Sequence, residues 1–172
     1  ADEVMTGFGK NGKTFAMDYV EQKPDMMCLS KALTGGTIPM AITTFTQQIF
    51  DGFYDSDVNK ALFHGHTFTA NPTGCAAALA AIGLLETPEM QNNITRINAQ
   101  HLAFAQKMQS HPKVKTTRVQ GVIFALEIKT ETNESYYGAM RMKLYNFFIE
   151  HGVILRPVGN IVYILPPYII TT

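Results

Sequence analysis

Short apolar runs alternate with amphipathic stretches along the chain, and this alternation predicts an α/β protein. Strands are predicted where apolar or β-branched residues form runs of strand length, at Met26–Leu29, Ile38–Phe45, Val114–Val119, Val122–Ile128, Val153–Leu155 and Ile161–Leu165. Helices are predicted where alanine is abundant or apolar residues recur at helical spacing, at Thr46–Phe50, Thr73–Glu86, Pro88–Ser110 and Tyr136–Glu150. The pattern indicates two α/β lobes joined near residues 90–110.

The two central helices are expected to bury different sets of side chains. The Ala-rich helix Thr73–Glu86 is expected to pack tightly through Leu79, Ile82 and Leu85. The helix that begins at Pro88 is expected to bury an apolar stripe made of Ile94, Ile97, Leu102 and Ala105. The Gly-rich segment 1–24 and the polar segment 51–60 are interpreted as loops.

Composition narrows the functional classes. The 172 residues carry 14 Lys and Arg against 14 Asp and Glu, and only 16% are charged. Zero net charge offers no attraction to nucleic acid or anionic lipid, so neither is expected as a partner. No apolar run reaches the roughly 18 residues of a membrane span and no secretory pattern opens the chain, so a cytoplasmic location is expected. Cys28 and Cys75 lack metal-ligand spacing and are interpreted as reduced, buried and structural.

The segment Gly7–Gly12 matches the G-x-G-x-x-G spacing of dinucleotide-binding loops. Such a loop binds pyrophosphate when a strand precedes it and a helix N-terminus follows it, and no helix signals follow Lys13. The acid that would bind a ribose at the end of a second strand is also missing. An ordinary glycine-rich loop is therefore favoured over a nucleotide site.

Lys31 follows the predicted strand Met26–Leu29, so its amine is expected near the carboxyl end of a strand, where α/β folds bind ligands. Partial burial would make that amine a nucleophile or base, whereas a lysine reaching out to solvent is the commoner outcome of position alone. Asp2 lies 29 residues earlier (31 − 2), a spacing that lets neighbouring strands bring both side chains to one sheet edge. An amine and a carboxylate so placed match the needs of pyridoxal phosphate, and they also match a plain ion pair.

Three segments, Ala1–Lys10, Leu29–Gly36 and His64–Pro72, together carry a family resemblance. Their residues, order and separation are similar to three signatures of the class III pyridoxal-phosphate aminotransferases. The resemblance covers essentially the whole chain. It implies an α/β fold, the C-terminal part of a fold-type I transferase, with a partial large cofactor-binding domain in residues 1–92 and a small C-terminal domain, truncated at its end, in residues 93–172.

The resemblance implies specific roles toward the cofactor, pyridoxal 5'-phosphate. Lys31 would be the catalytic lysine, which forms the Schiff base with the cofactor and moves the reacting proton. Asp2 would keep the ring nitrogen of the cofactor protonated. Thr67, with His66 beside it on the phosphate side, would bind the cofactor phosphate of a neighbouring subunit, since sites of this family lie at the interface of a homodimer. No metal site is expected at His64 or His66, because no further ligands accompany them.

Substrate residues are implied in the same way. Arg156 would pair with the carboxylate of the keto-acid substrate, although a surface arginine is the simpler interpretation from position. Gly65 is expected at the substrate, and Tyr163 is expected either to line the substrate pocket or to fill the small lobe. Within the class, Leu155–Asn160 and Val162–Tyr168 resemble the branch that aminates 8-amino-7-oxononanoate to 7,8-diaminononanoate in biotin biosynthesis. The amino donor, adenosylmethionine or lysine, stays open.

Members of this family run to more than twice this length, and both chain ends are interpreted as cuts through structure. The resemblance therefore implies a fragment without the N-terminal half, which would supply the phosphate cup and the residue stacked on the cofactor ring. We expect this chain alone to be inactive. The alternatives are another class III aminotransferase, acting on ornithine, γ-aminobutyrate or ω-amino acids, and a non-catalytic association module. The low fraction of charged residues is interpreted as a sign that part of the surface is covered by the absent N-terminal half and by a second subunit.

Overall fold

The computed structural model describes residues 1–131 and 136–171, and the chain divides into two compact units, Ala1–Pro88 and Glu89–Thr172. Each unit combines helices with antiparallel strands, in agreement with the predicted α/β class. The division falls four residues before the predicted one (92 − 88). That the units are a cofactor domain and a small domain stays a prediction.

Unit 1 is built around a pair of antiparallel strands, β1 (Met26–Leu29) and β2 (Ile42–Phe45), in which Leu29 lies opposite Ile42. The prediction for β1 is confirmed, because Pro24 and Ser30 bound a run of apolar residues. Strand β2 is shorter than predicted. Pro39 has no N–H to donate, and the carbonyl of Met40 accepts from the Ser30 hydroxyl at 2.7 Å, so regular pairing starts only at Ile42.

Two helices complete unit 1, α1 (Gln47–Phe53) and α2 (Pro72–Leu85). Asn71 caps α2, since its Oδ1 accepts from the backbone N–H of Thr73 at 2.9 Å. The core of the unit consists of Phe8, Leu29, Leu33 and Ala78. The expected packing of α2 through Leu79 is wrong, because that side chain is 74% exposed.

Small residues determine which face of α2 packs inward. Gly74 and Ala78 are its buried residues, and a Cβ on Gly74 would lie 3.1 Å from the sulfur of Met40. The helix is apolar on all sides, so hydrophobicity alone does not distinguish this face. The buried face is the one whose small residues allow the helix backbone to approach its neighbours closely.

Unit 2 contains a three-stranded antiparallel sheet in the order β3 (Val114–Gln120), β4 (Ile123–Ile128) and β5 (Ile161–Ile164). The predicted β3–β4 hairpin is confirmed, and it turns at Gly121, whose φ is +58°. Helix α3 (Pro88–Gln109) begins at the predicted proline, and α4 (Ala139–Glu150) follows β4. The core contains Ala105, Val114, Phe124 and Leu126.

Several expectations for unit 2 are corrected. Residues 153–155 form no strand, and Ile154 is 86% exposed. Leu102 of α3 is exposed, whereas Ile94, Ile97 and Ala105 are buried as predicted. Helix α4 starts at Ala139 rather than Tyr136 because Gly138 takes the N-cap position. It is not the amphipathic helix expected, since it has no fully buried residue and exposes apolar side chains such as Phe147.

Two further expectations concern the burial of the cysteines and the lack of a membrane span. Cys28 is exposed, not buried, because side chains alternate along β1 and its neighbour Leu29 takes the inward position; Cys75 is half-buried, and both thiols are free. Within residues 1–131 and 136–171, no helix combines the length and the hydropathy that crossing a bilayer requires.

Candidate active site

Asp2 is paired with β1 through the backbone. Two hydrogen bonds flank it, from Cys28 N–H to the Ala1 carbonyl at 2.9 Å and from Glu3 N–H to the Cys28 carbonyl at 3.0 Å. The result is a parallel bridge between Asp2 and Cys28, three residues before Lys31. The Asp2 side chain is exposed, and its Oδ1 accepts from Val4 N–H at 3.0 Å. No ion pair between Asp2 and Lys31 forms among the described residues.

Glu3 is the buried counterpart of Asp2, at only 1% exposed. One carboxylate oxygen accepts from Met17 N–H at 2.7 Å and the other from the Thr6 hydroxyl. Its own carbonyl accepts from Gly7 N–H at 3.0 Å. Neighbouring side chains of an extended segment point to opposite sides, so burial of Glu3 directs Asp2 outward.

The segment Gly7–Gly12 is an ordinary loop, as predicted. Turns run through it with positive φ at Phe8, Gly9 and Gly12, and the next element is a 3₁₀ turn at Ala16–Tyr19 rather than a helix. A Cβ on Gly7 would lie 2.9 Å from the Glu3 carbonyl oxygen, so glycine is required there.

Lys31 begins the lysine turn, a 3₁₀ turn over Lys31–Thr34. Its φ is +47°, in the left-handed region, which costs a residue with a Cβ about 1–2 kcal/mol. Leu33 and Thr34 of the turn are buried at 2% and 3% exposed, while Lys31 itself is exposed. Its ammonium group makes no hydrogen bond or ion pair with any described residue. Lys31 follows the strand directly, and its amine is exposed to solvent rather than partly buried. Its role toward a cofactor stays a prediction.

The residues predicted to meet the phosphate and substrate in unit 1 lie on an exposed segment. The Thr67 hydroxyl makes no hydrogen bond to any described residue, and a Cβ on Gly65 would meet nothing within 4 Å. His66 Nδ1 accepts from Phe68 N–H at 3.2 Å. No hydrogen bond joins this segment to Lys31 or Asp2 among the described residues. Among the described residues, no three or more His, Cys, Asp or Glu side chains lie close enough together to bind a metal ion.

Arg156 and Tyr163 belong to unit 2. Arg156 is exposed, precedes the buried Pro157, and forms no hydrogen bond or ion pair with a described residue. Tyr163 is half-buried in β5, opposite Ala125 of β4. An exposed guanidinium without a partner is suited to a carboxylate. The role of each residue stays a prediction.

These donors fit pyridoxal phosphate by their chemistry. The cofactor requires an amine for its aldehyde, an anion at its ring nitrogen and a donor for its phosphate. Lys31 offers a free amine, Asp2 an exposed carboxylate and Thr67 a free hydroxyl. The residues that would stack on the ring were not identified in this chain.

The fold and this set of residues define a class of enzyme. The family model for class III aminotransferases matches residues 1–172, and the chain belongs to that family. The predicted resemblance is thereby confirmed. Solved structures agree: an ω-transaminase from Pseudomonas jessenii in complex with PMP superposes with a TM-score of 0.89 at 29% identity, over 100% of this chain and 39% of that one. The predicted fold class, part of a fold-type I transferase, is confirmed.

Particular relatives carry one recurring name. The adenosylmethionine-8-amino-7-oxononanoate aminotransferase of Synechococcus elongatus is 40% identical over 171 residues, which cover 99% of this chain and 40% of the relative. That of Methanocaldococcus jannaschii is 37% identical, over 99% of this chain and 39% of the relative. A crystal structure of the latter enzyme superposes with a TM-score of 0.87 at 33% identity, over 98% of this chain and 41% of that one. The chain spans about 40% of the length of the curated relatives it matches.

Two residues of the site were missed by sequence reasoning. Neither Glu3 nor Ser30 is assigned a role from the sequence. A hint for Glu3 was present, since a carboxylate followed by Thr6 and a glycine loop supplies an acceptor where turns leave donors unpaired. Ser30 offered no such signal, because its acceptor, the Met40 carbonyl, lies ten residues away.

Proposed function

We propose that this chain is part of a pyridoxal-phosphate-dependent aminotransferase that converts 8-amino-7-oxononanoate to 7,8-diaminononanoate in biotin biosynthesis. The observation that carries the proposal is the free amine of Lys31, held in a left-handed turn three residues after the partner of Asp2. The names of the relatives that are 36–40% identical support the particular substrate. The activity, substrates and partners of the whole enzyme are part of this proposal.

Pyridoxal phosphate supplies an aldehyde that condenses with an amine, releasing one water, and a ring that accepts the electron pair of a deprotonated carbon. Lys31 Nζ would hold that aldehyde in the resting enzyme. Once a substrate amine has replaced it, the freed Nζ would carry a proton between the substrate carbon and the former aldehyde carbon of the cofactor, within each half-reaction. The Asp2 carboxylate would keep a proton on the ring nitrogen, and its outward direction follows from the burial of Glu3.

The enzyme is proposed to be a homodimer in which Thr67 of one subunit binds the phosphate in the site of the other. The surface around Thr67 supports this assembly, because three nearby aromatic side chains are largely exposed: Tyr54, Phe63 and Phe68. Exposed apolar side chains in one continuous segment are typical of interfaces. His66 would lie beside the same phosphate, where its Nδ1 already fixes the Phe68 N–H.

Three further residues are proposed to contact the substrate. Arg156 would bind the carboxylate of the keto substrate, since its guanidinium has no partner among the described residues and fits a carboxylate with two parallel hydrogen bonds. Gly65 would lie at the substrate, and a Cβ there would meet nothing within 4 Å. The ring of Tyr163, half-buried in β5, would line the substrate pocket.

The test is an assay of the full-length recombinant enzyme that contains this chain, with pyridoxal phosphate, 8-amino-7-oxononanoate and either adenosylmethionine or lysine as the donor. We expect 7,8-diaminononanoate with one of the donors. Lys31→Ala is expected to abolish both the product and the absorbance of the lysine-bound cofactor. Lys107→Ala, an exposed lysine of α3, is the matched control and should change neither. No diamine product with either donor would defeat the substrate assignment.

A broader substrate range is the second candidate, because the ω-transaminase structure superposes as closely as the oxononanoate enzyme. The same preparation is therefore assayed with ornithine, γ-aminobutyrate and simple ω-amino acids. Faster turnover of one of these would move the enzyme to that specificity. A third possibility is that this chain is by itself a non-catalytic association module of such an enzyme. The 172 residues mixed with pyridoxal phosphate would then give no absorbance that is lost in Lys31→Ala.

A cytoplasmic location is proposed for a bacterial or archaeal host, in line with the absence of a membrane-spanning helix among the described residues. A relative from Arabidopsis thaliana that is 37% identical is named as mitochondrial. Fractionation of the source cells followed by immunoblotting would distinguish these compartments.

A further inference from the structure

The left-handed backbone of Lys31 requires an explanation, because glycine is the residue that adopts this conformation easily. Among the described residues other than glycine, only Phe8 and Ala70 share a positive φ. Residues in such conformations persist when the surrounding structure holds them, and they concentrate at functional sites. The contacts on both sides of Lys31 show how it is held.

The C-terminal side of Lys31 is fixed by burial. Leu33 and Thr34 are almost fully buried, and Leu33 N–H donates to the Ser30 carbonyl at 3.0 Å. The Thr34 hydroxyl donates to the Ile38 carbonyl at 2.7 Å. These contacts set where the lysine turn lies, and the Leu33 hydrogen bond spans Lys31, but none of them involves the Ser30 side chain or ends the strand pairing before it.

The N-terminal side depends on one side-chain hydrogen bond. In the β1–β2 register Leu29 lies opposite Ile42, so two more residues of regular pairing would place Lys31 opposite Met40. The Ser30 hydroxyl donates to the Met40 carbonyl at 2.7 Å instead, while the Ser30 backbone is fully extended, with φ −164° and ψ −155°. The hydroxyl thus takes an acceptor that a continuing strand would use, and Lys31 leaves the sheet.

We infer that Ser30 is a positioning residue, whose bond to the Met40 carbonyl ends the β1–β2 pairing at Leu29 and holds Lys31 in the left-handed conformation that presents its amine. This inference rests on the proposed function, because it concerns the direction of the amine that binds the cofactor. The Ser30 hydroxyl touches neither the cofactor nor the substrate. It acts through the Lys31 backbone.

The test uses the full-length enzyme with Ser30→Ala, the conservative variant Ser30→Thr, and Thr37→Val as a matched control. Thr37 also donates its hydroxyl to a carbonyl of this loop, that of Thr34, at 2.8 Å, but it does not adjoin Lys31. The apoenzyme is mixed with pyridoxal phosphate, and the covalent linkage is followed by absorbance, trapped with borohydride and located by peptide mass.

Loss of one hydrogen bond in Ser30→Ala is expected to slow linkage to Lys31 about fivefold. Ser30→Thr is expected to restore the rate to within about twofold, because threonine keeps the donor and favours an extended backbone. Thr37→Val is expected to stay within the same margin. An unchanged rate in Ser30→Ala, or an equal loss in Thr37→Val, overturns the inference. A wild-type enzyme that forms no linkage at Lys31 overturns the proposed function and this inference together.

A second measurement needs no cofactor. Glycine relieves the strain of a left-handed residue, so the apoenzyme with Lys31→Gly is expected to unfold about 2 °C higher than that with Lys31→Ala. If the Ser30 hydroxyl imposes the conformation, this difference shrinks when Ser30→Ala is added to both variants, because the backbone can then relax. A difference that is the same with and without Ser30 contradicts the inference.

Discussion

Two regions of unit 1 carry the predicted cofactor residues, and they are built in opposite ways. Asp2 and Lys31 belong to the region 1–37. Its buried polar residues, Glu3, Asn11 and Thr34, all hydrogen-bond within the region or to its immediate neighbour Ile38. Thr67 belongs to the exposed arm, residues 46–70. Every residue of the arm is exposed except Ile49, which is half-buried. Contacts within the chain bury and hydrogen-bond residues of the region 1–37, whereas the arm is not buried by other residues of the chain.

The arm nevertheless has local structure. Lys60 forms an ion pair with Asp55, the Asp57 side chain accepts from Asn59 N–H at 3.0 Å, and the rings of Phe50 and Tyr54 stack at 5.1 Å. These contacts shape the arm but bury almost none of its apolar side chains. We therefore expect one half of the proposed cofactor site to be preorganised within a single chain, and the other half to form only when the arm is covered.

Removal of the Glu3 carboxylate is expected to have the largest effect on this comparison. Glu3→Ala leaves the partly buried Met17 N–H and Thr6 hydroxyl without their acceptors and opens a cavity where the buried carboxylate stood, so the free energy of unfolding should fall by about 3 kcal/mol. The measurement is chemical unfolding of the full-length enzyme, with amide hydrogen exchange at Met17 as the local readout.

The controls for this prediction are Glu3→Gln and Glu21→Ala. Gln keeps an oxygen acceptor for Met17 N–H and should recover part of the stability. Glu21 is exposed and forms no hydrogen bond with a described residue, so its replacement should change stability by less than about 0.5 kcal/mol. Equal stability of Glu3→Ala and Glu21→Ala would mean that the region 1–37 is not held as described.

Disruption of the arm is expected to affect assembly rather than folding. Phe63 is 81% exposed, so Phe63→Ser loses no internal packing and should leave the unfolding of each subunit within about 0.5 kcal/mol. If a second copy covers the arm, the dissociation constant of the dimer should rise about tenfold or more, since a buried aromatic side chain at an interface contributes over 1 kcal/mol. Sedimentation velocity over a concentration series measures it.

Tyr137→Ser is the matched control for the arm. Tyr137 is also about four-fifths exposed, at 79%, but it lies in unit 2 beside Arg141, whose guanidinium is 5.6 Å from its ring. Its replacement should not change dimer dissociation. A dimer that tolerates Phe63→Ser as well as Tyr137→Ser would show that the arm is not the interface.

The contrast also explains which features the sequence predicted. Strand β1, the start of α3 at Pro88 and the β3–β4 hairpin were predicted because proline, glycine and apolar runs act locally. The strand expected at residues 153–155 is absent because apolar residues need a partner strand, and periodicity does not reveal one. The inward face of α2 was predicted in part. Ile82 and Leu85 pack against the core as expected, whereas Leu79 does not, because Gly74 and Ala78 take the buried positions by close approach of the backbone.

The site followed the same division. Lys31, Asp2 and Thr67 are predicted from motifs, because the proposed chemistry requires those residue types at those places, and their roles stay predictions. The left-handed φ of Lys31 and the buried Glu3 depend on hydrogen bonds between residues up to 14 positions apart in the chain, and neither propensity nor spacing encodes them. The motifs predict which groups react, whereas the contacts that orient those groups are tertiary and do not follow from the motifs.

The smallest expected effect concerns His101 of α3, in unit 2, which contrasts with the fully bonded Glu3. Its Nδ1 is buried without a hydrogen-bond partner among the described residues, and its ring lies 5.8 Å from that of Phe124. Burial lowers the pKa of His101 below its ordinary 6.5, because the folded state disfavours the charged ring. The unfolded chain then binds the proton first, so stability is full above about pH 6.5 and falls as the pH drops below it. His101→Phe should flatten that decline in unfolding experiments between about pH 7 and 5, whereas the same change at the exposed His111 should leave it. A decline that persists in His101→Phe would assign it to other groups.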